Sequence, residues 1–138
     1  MLTAIIGGII LLLILALVII VARDPGPSPT DVAVAYEAAW SRLDFNTLWT
    51  LSGYELRDGM NRADYESAKK AAYTNTSVDT LAPVIAVESL EVENDYAVVK
   101  TSVVLSPNDR ATNEINFAHR RGRWLVVGYR IISSARTS

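Results

Sequence analysis

The chain's single histidine, His119, is its one candidate for imidazole acid–base chemistry. It follows Ile115 and Phe117 in strict alternation, so in an extended segment it shares a face with two apolar residues. General acid–base catalysis needs such a group within about 3 Å of the substrate proton, in a pocket that shifts its pKa. No aspartate occupies an apolar-face strand position that would pair with it, and Asp44 and Asp58 read as a helix cap and a turn residue. The favoured reading therefore leaves His119 partly solvated at a strand end, beside Arg120 and Arg121. The other side chains of interest are aromatic. Tyr36, Trp40, Trp49, Tyr65, Phe117, Trp124 and Tyr129 are candidates to line a ligand pocket, with the Tyr36 and Tyr65 hydroxyls turned into it. Filling the core between helices and sheet is the commoner fate of such residues.

Charge is uneven along the chain. From Asp24 to Asp95 thirteen acidic and five basic residues leave a balance of −8, and from Tyr96 onward two acidic and seven basic residues leave +5. Arg120, Arg121, Arg123 and Arg130 gather at the basic end and form a candidate contact patch for an anionic lipid or acidic partner. The favoured alternative is a solvated hairpin complementing the acidic one that carries Glu88, Glu91, Glu93 and Asp95.

Composition excludes several chemistries. Without cysteine there is no disulfide, no thiol nucleophile and no cysteine zinc site, and one histidine cannot build a histidine-rich metal centre. No metal and no cofactor is expected. Nucleic acid is not an expected partner, because the chain is mildly acidic and carries no reading motif. Asn75-Thr76-Ser77 matches a glycosylation sequon, a pattern too short to carry weight.

Thr3 to Ala22 is an unbroken apolar run without charge or proline. At ~1.5 Å per residue such a run spans a ~30 Å hydrocarbon core as a helix, with Ala4 and Gly8 at small-xxx-small spacing. A cleaved signal peptide fits less well, since no Lys or Arg precedes the run and Ile20-Val21-Ala22 ends it with a large residue where a small one is preferred. The organisation expected is a transmembrane anchor at 1–23, a stiff proline-rich linker at 24–29 and one globular domain at 30–138. Arg23, the one basic residue flanking the run, leans by the positive-inside rule toward a cytoplasmic C-terminus.

Within the domain, helices come first. Thr30 can cap a helix whose stripe is Val32, Tyr36, Ala39, Trp40 and Leu43. Asp44 can cap a second, with Phe45, Leu48 and Trp49 on one side and Gly53 as its stop; Asn61, with Asp64 three residues on, starts a third. Four strands follow at Val84–Glu93, Tyr96–Leu105, Asn113–His119 and Trp124–Ile132, joined by turns at Asn94-Asp95, Pro107–Asp109 and Arg120–Arg123. Helices followed by a strand meander define an α+β domain, three helices packed on one face of an antiparallel sheet.

Tyr36 and Trp40 on the first helix, then Leu43-Asp44-Phe45 leading to Leu48 and Leu51, resemble the opening of NTF2-like (cystatin-like, SnoaL-type) domains. Gly122-Arg123-Trp124-Leu125-Val126 is similar to the hairpin that precedes their last strand, and Leu51 to Gly59 to that of small bacterial membrane-anchored members. The resemblance covers Thr30 to Ile132 and implies a curved sheet wrapping the helices into a cone, often with a pocket at the open end. It further implies an extracytoplasmic domain on a single-pass cell-membrane anchor, against the faint charge bias. The function expected from it is a non-catalytic accessory or binding module of the cell envelope, presented to a protein partner or a small apolar ligand. A homodimer through the sheet is a further expectation, with Val99 and Val103 read as apolar residues on its polar face. The alternative is a small isomerase- or dehydratase-like enzyme using His119 in the cone pocket.

Overall fold

Three polar side chains start the three helices by one device. Ser28 accepts from the Asp31 N–H at 3.2 Å, Asp44 from Thr47 at 3.2 Å and Asn61 from Asp64 at 2.8 Å, each satisfying an amide that the first turn leaves open. The helices are α1 (Pro29–Ser41), α2 (Phe45–Leu51) and α3 (Arg62–Ala72), with a single 3₁₀ turn at Tyr54–Leu56 between the last two. The first cap is Ser28 rather than Thr30, because Pro29 fits the first helical position, where no amide donor is needed. The computed structural model describes residues 26–75, 84–106 and 109–136.

Four strands complete the fold: β1 (Val84–Glu93), β2 (Tyr96–Ser106), β3 (Asp109–Arg120) and β4 (Arg123–Arg136). They form one antiparallel meander in the order β1-β2-β3-β4. Two-residue turns set the register at two corners, with Asn94 at φ 53° in one and Arg121 and Gly122 at 52° and 75° in the other. Irregularities in the β3–β4 ladder at Thr112/Asn113 and Asn116/Phe117 each insert a residue, which bends the strands.

The face toward the helices reads across the strands in rows. Ala97, Phe117 and Val126 form one row; Val99, Ile115 and Tyr129 the next; Thr101, Asn113 and Ile131 the third. The first two rows are almost wholly apolar and pack against Val32, Tyr36, Phe45, Leu48 and Tyr65 from the helices. The third contains the polar pair. Ser52, bridged to Val126, and Gly53, whose N–H reaches the Val126 carbonyl at 2.7 Å, fasten the helical layer to β4. β1 is an edge strand whose Val84, Leu90 and Val92 remain exposed.

Two expectations are corrected here. Among the described residues no helix is long and apolar enough to cross a membrane. The fold is therefore the α+β arrangement of three α-helices on a four-stranded antiparallel sheet, without the expected transmembrane helix as part of it, and the cell-membrane localisation that rested on that helix is not carried forward. The apolar run, the 1–23 anchor and the first two residues of the 24–29 linker lie outside the described residues. Val99 and Val103 belong to the helix-covered face, at 0% and 5% exposure, not to a polar outer one. Both pair across strands with inward residues, Ile115 and Ala111.

Candidate functional site

Val32 to Trp40 holds one charged side chain among otherwise apolar residues and a tyrosine, and that residue is turned inward. Glu37 lies one turn after Ala33 and one before Trp40 and Ser41, so the face of α1 that covers the third row of the sheet carries it into the interior. It is 4% exposed. Its Oε1 accepts from the Thr101 hydroxyl at 2.9 Å and from Asn113 Nδ2 at 2.9 Å, and its Oε2 accepts from the Tyr129 hydroxyl at 3.0 Å. The register makes this possible: Thr101 and Asn113 are direct cross-strand partners, and Tyr129 stands one row on, beside Ile115.

A cavity of about 230 Å³ opens over this network. Glu37, Ser41, Asn113 and Tyr129 contribute its polar part; Trp40, Val103, Ala111 and Ile131 supply most of the wall, with Ile131 exposed at the rim. The volume is that of about seven or eight liquid waters at ~30 Å³ each, below the ~300 Å³ where drug-sized pockets begin. Asn113 Oδ1 is buried and makes no hydrogen bond. Trp40 Nε1 is likewise buried without a well-formed hydrogen bond, though it lies close enough to Tyr36 to act on that hydroxyl.

Burial holds the site's phenols neutral. Tyr129 is pushed far above the ordinary tyrosine value of 10.0, first by burial and then by the negative charge of Glu37. Tyr36, whose ring lies 5.3 Å from that of Tyr129, is also raised by burial, with Trp40 and Ser52 offsetting part of the rise. Tyr65 is pushed up to about 12, mainly by burial.

The aromatic residues expected to line a pocket are distributed otherwise. Trp40 and Tyr129 line the cavity. Tyr36, Tyr65 and Phe117 are core, at 3%, 3% and 0% exposure. Trp49 is half-buried against the margin of the core, its ring under the Arg57 guanidinium at 3.7 Å and its Nε1 donating to the Met60 carbonyl. Trp124 packs on His119 with ring centroids 4.9 Å apart. His119 is half-buried at the far end of β3, its N–H donating to the Asp95 carbonyl at 2.8 Å. Six residues separate it from Asn113, about 20 Å along a strand, so it does not reach the cavity.

The arginines of the expected contact patch separate as well. Arg120 makes a two-pronged contact with Glu55, at 2.8 and 2.6 Å, and Arg130 another with Glu114 at 3.1 and 3.2 Å. Their partners are thus the 3₁₀ turn and the neighbouring strand, not the acidic first hairpin. Each arginine holds its glutamate below the ordinary carboxylate value. Arg121 stands in the turn and Arg123 opens β4, and both are exposed. Among the described residues no group of three or more His, Asp or Glu could hold a metal ion.

Glu37, Thr101 and Asn113 belong to no motif or apolar stripe of the sequence. Each nevertheless breaks a pattern: Glu37 a helical apolar run, Thr101 the inward series Val99 to Val103, Asn113 the inward series ending at Ile115 and Phe117. A polar residue at an inward position is the signal that finds them.

No protein-family model matches the chain, and no curated protein matches it significantly. Solved structures do. The solution structure of a SEC-C motif containing protein from Rhodopseudomonas palustris aligns over 77% of this chain and 80% of its own, with a TM-score of 0.55 and 16% identity. The crystal structure of an NTF-2 like protein of unknown function from Silicibacter pomeroyi aligns over 74% and 91%, with a TM-score of 0.52 and 20% identity. The chain has an NTF2-like fold.

Proposed function

We propose that the domain is a binding module whose cavity over Glu37 takes a small ligand with an apolar body. One observation carries the reading: a carboxylate buried under three donors forms part of the floor of a largely apolar recess. Replacing a buried charged network with apolar residues of similar volume is often neutral or stabilising, so packing alone gives no reason to place a glutamate there. A small pocket with an apolar wall and a few fixed polar groups is the usual form of a ligand site. The NTF2-like fold is compatible with a binding or accessory role, and the cavity supplies the particular place. Nothing favours the His119 enzyme, because that side chain packs on Trp124 away from the recess.

The test is a ¹H–¹⁵N NMR titration of the full chain with 1-butanol and n-butylammonium. Shift changes are expected to centre on Val103, Ala111, Asn113 and Ile131, and to vanish in Ala111→Leu, which fills the recess. Shifts scattered over the surface, or unaltered by the filling substitution, would overturn the reading.

A further inference from the structure

We infer that the ligand of this cavity carries a protonated amine, seated against Glu37. The inference rests on the reading of the cavity as a ligand site and adds the ligand's chemical class.

The argument is one of unmet hydrogen-bonding capacity. An ionised carboxylate has about four acceptor positions. Glu37 has filled three, two on Oε1 and one on Oε2. Asn113 has spent an amide hydrogen on Glu37, while its Oδ1 is buried with no partner. Tyr129 has given its only proton to Glu37, so its oxygen can now only accept. Ser41, also on the wall, has given its hydroxyl proton to the Ala38 carbonyl. Against these open acceptor positions stand only the second Asn113 amide hydrogen and Trp40 Nε1, which lies beside Tyr36, so acceptors outnumber donors in the polar lining.

Charge points the same way. Glu55, Glu66 and Glu114 each pair with an arginine or lysine, whereas Glu37 makes no ion pair among the described residues. All three of its partners are neutral donors: a hydroxyl, an amide and a phenol. A buried anion without a cation is the circumstance in which a ligand cation gains most, because the attraction acts where solvent screens it least. An alkylammonium group brings three N–H donors and the missing positive charge together. The Trp40 and Tyr129 rings on the cavity wall add the aromatic surface on which ammonium groups rest favourably. The apolar wall of Val103, Ala111 and Ile131 then receives a short alkyl body.

The probes are n-butylammonium and 1-butanol, equal in length and different in charge, measured by titration calorimetry on the full chain at constant ionic strength. Butylammonium is expected to bind about tenfold tighter or better, since charge-assisted hydrogen bonds are roughly twice as strong as neutral ones. Glu37→Gln should reduce the preference to within about threefold while leaving 1-butanol binding in place. Equal binding of the two probes to the unaltered chain, a result that needs no variant to fold, or retention of the full amine preference in Glu37→Gln, would overturn the inference while the cavity reading stands. Binding of neither probe would overturn both.

Discussion

Removing the Thr101 hydroxyl should cost stability through Glu37 and through nothing else. Thr101 is fully buried and its hydroxyl donates to Glu37 Oε1 at 2.9 Å. A hydrogen bond to a charged group contributes about 1.5–3 kcal/mol. Thr101→Val keeps the shape and places a methyl group where the hydroxyl was, a gain of up to ~0.8 kcal/mol. The net loss should be about 1–2 kcal/mol, or a fall in Tm of several degrees for a domain of this size. In a Glu37→Leu background the hydroxyl has no acceptor, so Thr101→Val should become neutral or stabilising. The two substitutions should therefore couple by about 1.5–3 kcal/mol in a double-mutant cycle followed by urea unfolding with constant m. Additivity within ~0.5 kcal/mol would refute the reasoning, because it would mean that the bond contributes nothing to the folded state.

Other expectations follow from the same contacts. Asp44→Ala removes the α2 cap, in which Asp44 accepts from both the Thr47 amide and hydroxyl, and should cost about 1 kcal/mol in urea unfolding. Asp44, Glu55 and Glu114 are all held below their ordinary carboxylate values, so the folded state binds fewer protons than the unfolded chain in that range. The stability they contribute is present above the unfolded values and is lost as pH falls through the folded ones; Arg120→Ala should make this acid-side loss shallower, read from urea midpoints across pH. Tyr36, Tyr65 and Tyr129 are raised, so their contribution is complete below pH 10.0 and is lost as pH climbs beyond it. Their tyrosinate absorbance should appear in step with unfolding, and early titration of all three in the folded chain would contradict their burial.

Local chemistry was the part of the fold most open to sequence reasoning. Asp44 and Asn61 cap the helices expected of them, and Asn94 and Arg121-Gly122 stand at the expected corners, because caps and tight turns are settled within a few residues. β3 and β4 run longer than expected, from Asp109 and to Arg136, since the cross-strand ladder recruits polar residues that have no strand pattern of their own. Val99 and Val103 lie on the covered face, not the polar one expected of them. Strand alternation fixes only which residues share a side, and the pairing with Ile115 and Ala111 decides which side is covered.

The candidate site was less legible. Trp40 and Tyr129 were within reach of an aromatic inventory. The apolar stripe Val32, Tyr36, Ala39 and Trp40 does not include Glu37, because the buried face of α1 is wider than that stripe and takes in Ala33 and Glu37. Its partners lie 64, 76 and 92 residues away in the chain, and only the strand register assembles them. His119 drew attention for its chemical type, yet its row lies beyond the apolar core rather than at the cavity.

The most direct test of the ligand site is a search for intermolecular NOEs from n-butylammonium to methyl-labelled full-length chain. Contacts from the butyl protons to Val103 and Ile131, lost on Ala111→Leu, are the predicted result. Contacts instead to exposed apolar residues of β1 such as Val84 and Val92, or none at saturating ligand, would contradict it.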